Sequence, residues 1–135
     1  MLEESTVRML ERHWEEGWNA ANLETIMAPF GTDIVFSSPF VPALTGDTTS
    51  SEIRGYASLW DYVADSLRRA AGIRYTLDAS YVGVDSVILA YTCHLPDGTD
   101  RTGVDSMRLD SEGKVVDWRC HYSFRPAEVR HLITD

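Results

Sequence analysis

From Arg101 to Tyr122 the chain alternates apolar and polar residues through two runs joined by Ser111-Glu112-Gly113, a pattern that admits little besides a β-hairpin with one buried face. On the first arm Gly103, Asp105, Met107 and Leu109 share a side, so a carboxylate stands in line with residues that belong in an interior. On the second arm the apolar side is Val116, Trp118, Cys120 and Tyr122. Laying apolar side on apolar side sets Asp105 opposite Trp118, whereas the competing register sets Asp105 opposite Arg119 and Met107 opposite Asp117. The first is preferred because it keeps Met107 off a carboxylate. A three-residue turn ending in glycine often carries a bulge, so spacing alone leaves both registers open.

What precedes the hairpin sets the fold class. From Ser5 to about Ala21 the residues Val7, Leu10, Trp14, Trp18 and Ala21 recur at helical spacing, with Glu11, Glu15 and Glu16 elsewhere, and Gly17 beside the stripe leaves room for a neighbouring element. Asn22 caps a second, short helix with the stripe Leu23, Ile26, Met27 and Phe30, ended by Gly31. Residues 33–38 read as a strand halted by Pro39, with Ile34, Phe36 and Ser38 on one side. The stretch from Pro39 to Gly55, rich in Thr, Ser, Gly and Asp, reads as a long loop, the part most prone to disorder and a lid or rim over a site. A third helix runs from Tyr56 to about Ala70 on Tyr56, Leu59, Trp60, Val63 and Leu67. Strands follow over 73–84 and 86–95, then a turn at Pro96-Asp97-Gly98-Thr99, then the hairpin; one or two helical turns are expected from Pro126 in the tail 125–135. Helices first and strands after spell α+β, with a mainly antiparallel sheet covered by helices on one face. If that sheet curves, a pocket opens between its concave face and the first and third long helices, and Trp14, Trp18, Trp60 and Trp118 converge on it.

The 135 residues suit a single domain. A net charge of −9 and a pI near 4.8 argue against nucleic acid or an anionic membrane surface as partner, and no apolar run approaches the ~20 residues of a membrane span. The acidic start Met1-Leu2-Glu3-Glu4 lacks the features of an export signal, so a cytoplasmic protein is expected. Cys93 and Cys120 lie inside expected strands without metal spacing and read as reduced thiols, a single cross-strand disulfide being the alternative. There is no glycine-rich phosphate loop, no HExxH and no GxSxG, and His13, His94, His121 and His131 are scattered; no metal or nucleotide cofactor is expected.

Asp105 is the leading candidate for chemistry. A carboxyl on an apolar strand side resists ionisation, and one held neutral can donate a hydrogen bond to an oxyanion; the competing reading is a carboxylate satisfied by Arg119 or by backbone. His94 either faces the pocket with Thr92 or bonds at the rim of the sheet. Tyr122, on the buried side, is a further hydroxyl donor or an ordinary core tyrosine. Arg119 and His121 share the side away from Trp118, in solvent or at a subunit interface. Trp14, Trp18, Phe36, Ser38, Trp60, Met107 and Trp118 make up the candidate ligand-binding set, although aromatic stripes of this kind also simply build cores.

The helix Arg12 to Ala21 followed by Asn22-Leu23-Glu24-Thr25-Ile26, the strand end Phe36-Ser37-Ser38-Pro39, the helix entry Ile53-Arg54-Gly55-Tyr56 and the closing Asp105-Ser106-Met107-Arg108-Leu109-Asp110…Gly113-Lys114-Val115-Val116 together resemble the SnoaL-like, ketosteroid isomerase-like and nuclear transport factor 2-like superfamily. The resemblance spans Val7 to Tyr122. It implies a cone, with three helices on the concave face of a curved sheet, and a homodimer paired through the outer face of the sheet near Arg119 and His121. It implies a small-molecule ligand and, for an enzyme, a cofactor-independent isomerase, cyclase or hydrolase; members that only bind or dimerise are the alternative. Asp105 matches the oxyanion aspartate of ketosteroid isomerase, but Trp14 stands in place of the tyrosine and Ser38 in place of the proton-shuttling aspartate. A serine without a base moves protons poorly, so steroid isomerisation does not follow. Of an epoxide hydrolase Asp-Arg-Asp set Asp105 can supply one member, while the other two find no place on the pocket side, and the late-strand acid of the cyclases finds no match, since Trp118 and Cys120 hold the buried positions.

Overall fold

The structure, a computed structural model, describes residues 1–133. It is α+β, with helices leading into a curved, open sheet of six strands in the order β2-β1-β6-β5-β4-β3. The elements are α1 (Glu4–Asn19), α2 (Leu23–Met27), β1 (Phe30–Ser37), α3 (Phe40–Thr45), β2 (Glu52–Arg54), α4 (Tyr56–Arg69), β3 (Arg74–Val82), β4 (Ser86–His94), β5 (Asp100–Leu109) and β6 (Val115–Tyr122), followed by a 3-10 helix at Pro126–Leu132. All strand pairs are antiparallel except β1 with β6.

Helix α1 buries Val7, Leu10, Trp14 and Gly17. A side chain at 17 would put its Cβ 2.9 Å from Ile26 Cγ1, so the glycine is what lets α2 lie this close. Asn22 starts α2 by accepting a hydrogen bond from the Thr25 amide at 3.1 Å. Helix α1 also covers the free edge of β3: Asn19 Oδ1 accepts from the Tyr75 amide at 2.8 Å and Glu15 Oε2 from the Leu77 amide at 2.6 Å. Strand amides that would otherwise stand open for another chain are thereby closed. In the core the Trp118 ring stacks on Phe30 at 4.9 Å and meets Phe36 at 4.4 Å.

Several expectations change. In the β5–β6 hairpin Asp105 pairs with Cys120, not with Trp118 or Arg119, and Met107 pairs with Trp118. The Asp110–Lys114 turn sets Leu109 opposite Val115, and a register shift then leaves Val116 as an extra residue on β6. The bulge falls on the second arm and moves the pairing away from the preferred register, and Val115 takes the buried place expected of Val116. Phe30 and Gly31 belong to β1 rather than closing the second helix. The stretch 39–55 is not a loop: it contains α3 and β2, the latter paired along β1 with Phe36 opposite Ile53. Pro42 falls in the first turn of α3, where its missing N–H leaves no gap in the helix.

Candidate active site

A cavity of about 340 Å³ lies between the concave face of the sheet and helices α1 and α4. Trp14 and Trp18 come from α1, Tyr62, Val63 and Ser66 from α4, Phe36 and Ser38 from β1 and its end, and Tyr75, Tyr91, Asp105, Trp118, Cys120 and Tyr122 from the sheet. Phe40 and Leu44 of α3 and Val129 and Leu132 of the 3-10 helix complete the wall, so the segment expected to form a rim does reach the cavity, as helix rather than loop. The exposed members of the lining, Asn19, Ala21, Ala71, Gly72 and Arg74, mark where it opens.

Asp105 sits in the floor with 2% of its surface exposed. Its Oδ2 accepts the indole N–H of Trp14 at 2.9 Å and that of Trp118 at 3.1 Å, and its Oδ1 accepts the Tyr91 hydroxyl at 2.8 Å. The bulge explains how Trp118 reaches it. Although Trp118 is not directly opposite, it lies one pair further along the same face, and its ring bridges the diagonal. Gly103 explains how Tyr91 reaches it. The two residues pair across β4 and β5, and a Cβ at 103 would fall 2.8 Å from the Tyr91 hydroxyl and 2.9 Å from its ring, so the phenol crosses β5 only over a glycine. The Tyr91 ring is pressed against Trp14 with centroids 4.3 Å apart. Arg119 pairs instead with Asp117 on the outer face at 2.9 Å and makes no contribution to Asp105.

Two effects compete over the charge of Asp105. Burial disfavours the carboxylate, while hydrogen bonds from Trp14, Tyr91 and Trp118 favour it. Burial prevails, and the carboxyl titrates above its ordinary range. An indole N–H can only donate, so in either protonation state Oδ2 keeps both indoles as an acceptor. The proton of the neutral acid therefore belongs on Oδ1, facing the Tyr91 oxygen. Tyr91 is then released to turn its own hydrogen elsewhere, and it too lines the cavity. Burial also raises the Tyr91 and Tyr122 phenols and pushes the Cys93 thiol up to about 12, so all three stay protonated at neutral pH. Both cysteines are free and buried, without a disulfide between them. Among the described residues no buried side-chain nitrogen or oxygen lacks a partner, and no three His, Cys, Asp or Glu side chains gather as a metal-binding group.

The other sequence candidates divide. Trp14, Trp18, Phe36, Ser38, Trp118 and Tyr122 line the cavity with Asp105. His94 does not: it bonds Thr76 at 2.8 Å and Asp100 at 2.9 Å, and Thr92 bonds Asp78, which puts both on the outer side of the sheet. Strand alternation accounts for it, since Tyr91 and Cys93 take the inner positions. Trp60 packs against Tyr56 away from the cavity, because α4 turns Tyr62 and Ser66 inward instead. Met107 lies on the far side of Trp18 and Trp14, against Leu10 and Phe30. Tyr91 and Tyr62 were missed. Tyr91 could have been found, since the turn that bonds the Leu95 amide to the Thr99 carbonyl fixes the β4–β5 register and places Tyr91 opposite a glycine two residues from Asp105.

A SnoaL-like protein of unknown function from Burkholderia thailandensis superposes with a TM-score of 0.77 at 24% identity, covering 92% of this chain and all (100%) of that one. A nuclear transport factor 2-like protein of unknown function from Burkholderia pseudomallei gives 0.76 at 16% identity over 98% of this chain and 100% of the other. TerC, co-crystallised with polyporic acid, gives 0.73 at 15% identity over 94% and 96%. At these identities the likeness is one of fold. No curated protein matches the sequence. The SnoaL-like domain pattern matches residues 10–118, from α1 to the tryptophan that binds Asp105, and the chain belongs to the SnoaL-like domain family.

Proposed function

We propose that the cavity binds a medium-sized, largely apolar small molecule, with one polar group turned toward Asp105 and Tyr91. The observation that carries this is a hollow of about 340 Å³, walled by aromatic and aliphatic side chains, with one buried acid in its floor. That volume falls within the ~300–1,000 Å³ of ligand sites, and the mix of an apolar wall with few fixed polar groups is what such sites share. The co-crystallisation of TerC, a protein of the same fold, with polyporic acid supports the reading.

A second reading, turnover by a cofactor-independent isomerase, cyclase or hydrolase, is favoured by the raised pKa of Asp105. In its neutral form Asp105 holds the proton on Oδ1, and Tyr91 passes the hydrogen bond on to a ligand oxygen that gains charge. Such chemistry also needs a base. Ser38 takes that place just past the end of β1, and Asp105 is the one carboxyl lining the cavity among the described residues. Binding without turnover is therefore the primary reading. A homodimer through the outer sheet face carrying Arg119 and His121, in a cytoplasmic setting that keeps Cys93 and Cys120 reduced, belongs to the same proposal; no described helix is long and apolar enough to cross a membrane.

Native mass spectrometry of the protein purified from its own host tests the reading. A small-molecule adduct that disappears on denaturation is expected. The bare chain mass, together with no uptake of apolar aromatic compounds by the purified protein, would overturn it.

A further inference from the structure

The cavity has a second polar end. Ser38, Tyr62 and Ser66 all line it. Ser38 is 3% exposed, and its oxygen accepts the Phe40 amide at 3.1 Å. Ser66 donates to the Tyr62 carbonyl at 2.8 Å. This end is set apart from Asp105 by two rings, since Tyr62 meets Phe36 at 5.3 Å, Phe36 meets Trp118 at 4.4 Å, and Trp118 bonds Asp105.

The chemistry of three hydroxyls decides what they can hold. The Ser66 hydrogen goes to backbone, which leaves the hydrogens of Tyr62 and Ser38. Among the described residues neither of these two hydrogens is donated to another group, and both side chains line the cavity. Each can therefore offer its O–H to a guest without breaking a bond already made to backbone. The Tyr62 phenol, pushed up by burial, stays protonated, and none of the three carries charge. Such a group suits an uncharged oxygen, a ketone or a hydroxyl, and gives a bare hydrocarbon nothing.

We propose that Tyr62 and Ser38 form a specificity-determining subsite for a neutral carbonyl or hydroxyl oxygen, so that the guest is an apolar molecule bearing two uncharged oxygen functions, one at this end and one at Asp105. The proposal rests on the ligand-binding reading above and narrows it. Neither residue needs to react; both position.

Two probes of nearly the same shape test it, 2-acetylnaphthalene, which carries a ketone, and 2-ethylnaphthalene, which does not, each titrated by quenching of tryptophan fluorescence. Loss of one neutral hydrogen bond corresponds to about a five- to tenfold change in affinity. Tyr62→Phe is expected to weaken the ketone by that factor while moving the hydrocarbon less than twofold, and Ser38→Ala to act in the same direction. Should Tyr62→Phe fail to fold, Ser38→Ala alone carries the comparison. Equal losses for both probes, or a ketone affinity untouched in both variants and lost instead in Tyr91→Phe, would overturn the subsite and leave the cavity reading in place. Failure of both probes to bind the wild-type protein would overturn the subsite and the cavity reading together.

Discussion

Replacing Asp105 by asparagine should make the folded protein gain on the wild type as pH rises. The amide oxygen can occupy the Oδ2 place and accept both indoles, while its NH₂ donates to the Tyr91 oxygen, so the variant reproduces the neutral acid and cannot ionise. In the wild type two large terms oppose. Three hydrogen bonds to a carboxylate contribute about 1.5–3 kcal/mol each, whereas removing a carboxylate from water costs several kcal/mol even after relaxation, and up to about 20 in the ideal limit. At 2% exposure the second term prevails, and the folded pKa lies above the unfolded value. A group raised in this way holds its proton more tightly in the folded state. Its contribution is complete below the unfolded pKa of ~3.9 and is lost as pH climbs through the folded pKa. Between those two values the wild type should lose about 1.4 kcal/mol per pH unit relative to Asp105→Asn, with flat stretches on either side. Urea unfolding followed by tryptophan fluorescence from about pH 3 to pH 8, on both proteins, cancels every other titrating group in the difference. A difference that does not change with pH, or a wild type that gains on the variant as pH rises, would refute the reasoning and show that the indoles and the phenol outweigh burial.

Gly103→Ala should destabilise the fold by about 1–3 kcal/mol in chemical unfolding, because the new methyl meets the Tyr91 ring, which Trp14 already holds in place. Tyr91→Phe removes one donor from Asp105 and should move its carboxyl titration further upward in carbon-detected NMR; an unchanged midpoint would mean the phenol does not bond the acid. A cycle combining Tyr91→Phe with Asp105→Asn should show coupling above about 0.5 kcal/mol, since the two side chains are in contact. Cys93 and Cys120, both buried and raised, should react with a thiol reagent at pH 8 only after denaturation; fast labelling of the native protein would mean the cavity floor opens readily.

What the sequence made legible follows from how local each signal is. The stripe Val7, Leu10, Trp14 on α1 and the inward side of Asp105, Met107 and Leu109 on β5 are periodicities, and the structure keeps both. The bulge at Val116 is not periodic. It depends on how the Asp110–Lys114 turn closes: pairing Leu109 with Val115 would by itself set Asp105 opposite Arg119, and the one added residue moves it on to Cys120. Helix α3 is one and a half turns built around Pro42, too short to show a stripe. The placement of Tyr62 and Trp60 turned on the rotation of α4 by a fraction of a turn, which its stripe alone did not decide, because both residues flank Leu59 and Val63. His94 went to the outer face for the opposite reason: its position follows from strand parity once Tyr91 and Cys93 are taken as inward.

The most direct test of a guest-binding cavity is diffraction from crystals grown with 2-acetylnaphthalene. The account predicts a flat density inside the hollow between α4 and the sheet, in contact with Trp14 and Tyr62 and within reach of Asp105. Density confined to the exposed apolar side chains of Tyr81, Val84 and Ile88, or a cavity filled only by repacked protein side chains, would contradict it.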